Sequence, residues 1–185
     1  MSANILLTGR PRTGKTTIIK KFVRICPVSM GGFFTREIRE HGMRVGFTIE
    51  AIHSWDQEYQ DDSGKKYQAV MAHVNSRSPY RVGKYGVNVS AIDKVGITAL
   101  REGMKRSKLI IIDEIGGMEM YSSLFQKEVN NALDSSLPVL GVVQMKANPF
   151  LNSVRERDDV TVIQVTPENR EELPKQLLDI FGLKT

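Results

Sequence analysis

One short stretch near the start limits what this chain can fold into: Gly9-Arg10-Pro11-Arg12-Thr13-Gly14-Lys15-Thr16-Thr17. Gly9, Gly14, Lys15 and Thr16 fit the pattern G-x-x-x-x-G-K-[ST] of a phosphate-binding loop. Glycines let successive backbone N–H groups curl around an anion without interference from a Cβ. A helix that starts at Gly14–Lys15 turns its positive end toward the same anion. Lys15 has the length to reach β- and γ-phosphates, and the Thr16 hydroxyl is a hard oxygen suited to Mg²⁺. The flanks agree. Ile5-Leu6-Leu7 reads as a buried strand, and Thr16 to Arg24 carries Ile18, Ile19, Phe22 and Val23 at helical spacing. All nine loop residues are therefore candidates for nucleotide binding.

The chain has 185 residues, enough to bury a sizeable core, and is expected to form one domain over 1–185. Its apolar runs are far shorter than a membrane span, and Met1 to Asn4 has no basic-then-apolar signal pattern. Cytoplasm is the default compartment. A lone cysteine, Cys26, excludes an intrachain disulfide and reads as a small hydrophobe at a helix end. The net charge of +5 comes from scattered basic residues. With no basic arm or nucleic-acid module, a nucleic-acid partner is not expected.

Downstream, apolar runs alternate with helical patterns. Strands are expected at Met30–Arg39, Arg44–His53, Tyr67–Val74, Lys108–Glu114, Pro138–Gln144 and Val160–Val165. Helices are expected at Val87–Arg106, capped near Ser90–Asp93, at Tyr121–Leu133, and from Thr166-Pro167 to about Phe181. Trp55–Lys66 is acidic and reads as an exposed loop, and Asn75–Gly86 as a basic loop. The pattern predicts an α/β fold: a mostly parallel sheet with helices on both faces and an antiparallel β-hairpin inserted at about 30–74. Ligands of such sheets bind at the carboxyl ends of the strands, where the loop, Asp113-Glu114 and Gln144 converge.

Asp113 ends an isoleucine-rich strand about 100 residues after the loop. That is the Walker B arrangement, in which the carboxylate holds Mg²⁺ opposite Thr16. Glu114 follows directly, placed to take a proton from a water that attacks a γ-phosphate. Glu119 is a weaker candidate. Asp113-Glu114-Ile115-Gly116 also fits the D-x-x-G of GTPases, and Met145-Lys146-Ala147-Asn148 sits where N-K-x-D would lie. Asn148 replaces the aspartate there, and an amide cannot supply two acceptors to guanine. Dedicated guanine specificity is therefore not expected. Further cations for transition-state charge are sought among Arg10, Arg12, Arg77, Arg81, Arg155 and Arg157, with Arg155 and Arg157 preferred.

These motifs, together with Arg44-Val45-Gly46-Phe47, Tyr85-Gly86-Val87-Asn88-Val89, Ile111 to Glu119 and Val165-Thr166-Pro167-Glu168-Asn169-Arg170, resemble a family of P-loop nucleoside-triphosphatases. That family includes thermophile nucleotide phosphatases and a human cancer-related member. The resemblance implies a RecA-like P-loop core and Mg²⁺-dependent hydrolysis of nucleoside triphosphates to diphosphate and phosphate with loose base preference. It places Glu114 as the water-activating carboxylate; with the motif readings, Lys15 and Glu114 are the catalytic candidates and Thr16 and Asp113 the metal ligands. One departure is Arg12, which stands where such loops carry an inner glycine. A kinase that passes the γ-phosphate to a small acceptor, and a nucleotide-dependent binding switch, are the alternatives.

Overall fold

The computed structural model describes residues 4–52 and 67–183. The acidic stretch Trp55–Lys66 lies outside the described residues, as does His53.

Among the described residues a single sheet carries nine strands, in the order β5-β6-β4-β3-β2-β7-β8-β1-β9. One half is parallel: β2 (Met30–Glu40), β7 (Leu109–Ile115), β8 (Val139–Val143), β1 (Asn4–Thr8) and β9 (Val160–Gln164). The other half is antiparallel: β3 (Met43–Ala51), β4 (Gln68–His73), β6 (Tyr85–Val87) and β5 (Arg81–Val82). The expected hairpin is β2–β3. Its first strand also belongs to the parallel core, so β2 joins the two halves. The loop expected at Asn75–Gly86 contains β5 and the start of β6, which pair Arg81 with Gly86 and Val82 with Tyr85.

β7 shows why its sequence is apolar throughout. It lies between β2 and β8, and both of its faces are covered. Leu109 and Ile111 enter one hydrophobic cluster; Ile110, Ile112 and Ile115 enter the other. On the first face, α1 (Lys15–Ile25) buries Ile18, Ile19 and Phe22, and α6 (Leu173–Ile180) adds Leu173 and Leu177. Each such side chain contributes roughly 1.5–3 kcal/mol on burial. The rings of Phe22 and Phe181 close the seam between these helices at 5.7 Å.

The second face holds α3 (Thr98–Arg106) and α4 (Ser123–Asp134). A helical turn, α2 (Val89–Ala91), and a π-helical segment, Ile92–Ile97, run into α3. Asn88 caps this run by accepting the Ala91 N–H at 3.1 Å, so the cap lies before the expected Ser90–Asp93. α4 begins at Ser123, not Tyr121, because Ser122 caps it and Glu119–Tyr121 forms a separate 3₁₀ turn. α5 (Pro149–Arg155) follows β8. The last helix starts at Leu173 rather than at Thr166-Pro167. Asn169 holds the intervening turn, accepting the Thr166 N–H and donating to the Gln164 carbonyl.

Candidate active site

The carboxyl ends of β1, β8 and β7 meet at one edge of the sheet. Between β1 and α1 the chain makes a tight turn. The Arg10 carbonyl accepts from Thr13 N–H at 3.4 Å and from Thr13 Oγ1 at 2.9 Å. Pro11 occupies the second position of this turn, and Arg12 the third with φ 66°. That is the pattern of a type II turn, whose third position favours glycine. Arg12 therefore carries a Cβ in a left-handed conformation. Its guanidinium makes no hydrogen bond or ion pair with the described residues.

Gly9 is needed where it stands. Its φ is 143°, and a Cβ there would come within 3.0 Å of the Val165 carbonyl oxygen. Gly14 precedes α1, whose amino end has neither a capping side chain nor an acidic residue in its first turn. Its first N–H groups are thus left for another acceptor, as anion binding requires. Lys15 folds back over the loop, donating to the Gly9 carbonyl at 3.0 Å and the Arg10 carbonyl at 2.9 Å. Partial burial lowers its pKa; the charges of Glu114 and Asp113 oppose that shift.

The two motifs meet at Thr16 and Asp113. Thr16 Oγ1 donates to Asp113 Oδ1 at 2.9 Å across 97 residues of chain. Asp113 is fully buried, and its second oxygen, Oδ2, has no hydrogen-bond partner among the described residues. Burial raises its pKa to about 7, against the pull of the Thr16 hydrogen bond and with a push from Glu114. A buried carboxylate oxygen without a donor, beside a hydroxyl, suits a hard divalent cation. Among the described residues no three His, Cys, Asp or Glu side chains group to enclose a metal. A metal here would draw its remaining ligands from water and phosphate, as Mg²⁺ commonly does.

Glu114 follows Asp113 directly on β7. Burial raises its pKa, while a hydrogen bond from Gln144 and the charge of Lys15 lower it. Gln144, at the carboxyl end of β8, is a site residue whose role the sequence did not reveal. Its Oε1 accepts the Gly117 N–H at 3.0 Å. Glu119 is buried and accepts the Gly116 N–H at 3.2 Å. Burial and the neighbouring Glu114 raise its pKa to about 8.

Other candidates are placed elsewhere. Arg157 donates to Asp159 at 2.7 Å and Asp134 at 2.6 Å, and Asp159 also accepts from Asn4 at the first residue of β1. Arg157 thus sits at the sheet edge opposite the loop. Arg155 is near the site but donates to the Gln144 carbonyl and, at 2.5 Å, to Asn152, so it fastens the turn after β8. Arg81 is held by the Ser76 and Lys84 carbonyls. Asn148 Oδ1 caps α5, accepting the Phe150 and Leu151 N–H groups. His73 accepts the Asn75 N–H. Cys26 ends α1, and burial raises its thiol pKa, as suits a packed side chain. No helix among the described residues is long and apolar enough to cross a membrane.

A phosphate-binding loop on β1, with an acidic pair on a strand separated from β1 by β8, defines a P-loop nucleotide-binding protein. Residues 4–178 match the family described as NTPase, and the chain belongs to that family. It is 38% identical over 177 residues to Nucleoside-triphosphatase THEP1 of Thermotoga sp. (strain RQ2), covering 96% of this chain and 94% of the relative. It is also 38% identical over 179 residues to Nucleoside-triphosphatase THEP1 of Thermofilum pendens (strain DSM 2475 / Hrk 5), covering 94% and 92%. The crystal structure of THEP1 from the hyperthermophile Aquifex aeolicus superposes with a TM-score of 0.80 at 32% identity, covering 98% of this chain and 99% of that one. The solution structure of a human cancer-related nucleoside triphosphatase gives 0.75 at 30% identity, covering 100% of both chains.

Proposed function

We propose that this chain hydrolyses nucleoside 5′-triphosphates to diphosphate and phosphate, with Mg²⁺ as its divalent metal and with loose base preference. The observation that carries the reading is the Thr16–Asp113 hydrogen bond, which joins the loop to the acidic strand end with Glu114 beside it. In this reading free backbone N–H groups of the loop and of the first turn of α1, from Gly14 to Thr17, cradle the β- and γ-phosphates, and Lys15 offsets their charge. The Thr16 hydroxyl and the Asp113 carboxylate hold Mg²⁺, which polarises the phosphate oxygens when bound. Glu114 orients a water and accepts its proton as the water oxygen bonds to the γ-phosphorus. The bond from that phosphorus to the bridging oxygen breaks, and the diphosphate leaves with its electron pair. Gln144 donates to Glu114 and holds it on the water side.

The use of the Asn148 side chain as a helix cap supports loose base preference, because its oxygen is occupied where a guanine-reading carboxylate would act. Phosphate release with ATP, GTP, CTP and UTP, with and without Mg²⁺, tests the reading. Release from several triphosphates only with Mg²⁺ is expected. Tight binding without release would favour the kinase or binding-switch alternatives.

A further inference from the structure

The water-activating reading uses Glu114 but leaves a second buried acid unexplained. Glu119 is 4% exposed and pairs with no basic side chain among the described residues. Burying a carboxyl is costly, so the fold must gain something specific from it. Its Oε2 accepts the Gly116 N–H, reaching back three residues across the turn that follows β7. The next N–H, that of Gly117, goes to Gln144 Oε1 at 3.0 Å. That contact fixes which end of the Gln144 amide faces the turn, so its NH₂ is left to donate to Glu114. The packing is tight. A Cβ on Gly116 would lie 2.6 Å from Gln144 Nε2 and 2.7 Å from its Cδ. Two consecutive N–H groups of the turn that follows Glu114 are thus taken by two acceptors, Glu119 and Gln144.

We propose that Glu119 is a positioning residue that sets Glu114 for water activation, acting through the Gly116–Gly117 turn and the Gln144 amide. The inference rests on the role proposed for Glu114. In it, Glu119 touches neither nucleotide nor water; what matters is an acceptor oxygen at the correct reach, not a carboxyl as such.

Two conservative variants separate these properties. Glu119→Gln keeps the reach and an acceptor oxygen and removes the carboxyl. Glu119→Asp keeps the carboxyl and withdraws the acceptor by one methylene. Steady-state turnover and binding of a non-hydrolysable triphosphate are measured for both, beside Glu114→Gln. Glu119→Gln is expected to hold kcat within about threefold of wild type, and Glu119→Asp to lose about tenfold to a hundredfold, the scale of a small misplacement at a reacting centre. KM and analogue affinity should stay within about twofold in both, since the phosphate loop is untouched. Wild-type kcat in Glu119→Asp, or an equal loss in both variants, overturns the proposal. A fall in affinity that matches the fall in kcat overturns it too. If Glu114→Gln itself hydrolyses at the wild-type rate, the reading of Glu114 has failed. If Glu114→Gln is inactive while Glu119→Asp is not, only the role of Glu119 has failed.

Discussion

Asp113→Asn should stabilise the metal-free protein while removing its use for the metal. The side chain is fully buried, and one oxygen has no hydrogen-bond partner among the described residues. Burial moves its carboxyl from an ordinary 3.8 to about 7. A displacement of that size corresponds to about 4 kcal/mol against the ionised form. Asparagine has nearly the same shape and keeps an oxygen for Thr16, but its amide brings a second N–H that needs an acceptor, at a cost of about 1–2 kcal/mol. The net gain at pH 8 is then about 2–3 kcal/mol, or roughly 4–12 °C in Tm for a chain of this size. The sign with pH follows from linkage. Because the folded pKa lies above the unfolded one, the neutral carboxyl carries no penalty below about pH 4, and the penalty grows as pH rises toward 7. Asparagine should therefore be about 1 kcal/mol less stable than wild type at pH 4, where its unmet N–H costs more than the ionisation it avoids, overtake wild type as pH rises, and hold a level gain above about pH 7. Urea unfolding of both proteins with chelator present, from pH 4 to pH 8, measures it. Asparagine equal to or less stable than wild type at pH 8 would refute the reasoning, as would a gain independent of pH. Wild type should also gain stability from Mg²⁺ with a triphosphate analogue, and Asp113→Asn should not.

Lys15→Ala removes the cation that lies over the Gly9 and Arg10 carbonyls. Analogue affinity measured by calorimetry should fall by at least tenfold, and phosphate release should become undetectable; unchanged affinity would show that Lys15 is not a phosphate ligand. Arg12→Gly relieves a left-handed residue with a Cβ, worth about 1–2 kcal/mol, against about 0.4–1 kcal/mol for the added freedom of glycine in the unfolded chain. A rise in Tm of about 1–4 °C in thermal unfolding is expected, and a fall would show that the Arg12 side chain stabilises the loop.

The sequence showed the parallel half of the sheet well, because strands covered on both faces must be apolar throughout, as Leu109 to Ile112 are. The helix over 89–106 was visible too, but its π-helical segment was not. Its buried positions Ile92, Val95, Ala99 and Gly103 keep ordinary helical spacing, so the residue pattern carries no sign of the wider turn. The last helix was placed too early because Thr166-Pro167 has the look of a helix start. Instead, Asn169 takes the Thr166 N–H and closes a turn. β5 and β6 were missed because two- and three-residue strands carry no periodicity. In the site, motif spacing gave the loop and the acidic pair. The neighbours of Glu114 were less accessible. Gln144 and Glu119 work through single hydrogen bonds to Gly117 and Gly116, and no residue pattern records that pairing. Arg157 lies in the segment after β8, which can fold over the site, and that favours it in the sequence; its ion pairs with Asp159 and Asp134 hold it at the opposite edge.

The central claim is that the loop and the acidic strand end together make a self-sufficient hydrolase with Glu114 as its base. Phosphate release by wild type and Glu114→Gln, with analogue affinity measured on the same samples, tests it most directly. Glu114→Gln should keep its analogue affinity and lose about a hundredfold or more in kcat, on the scale of general base catalysis. Wild-type turnover in that variant would contradict it.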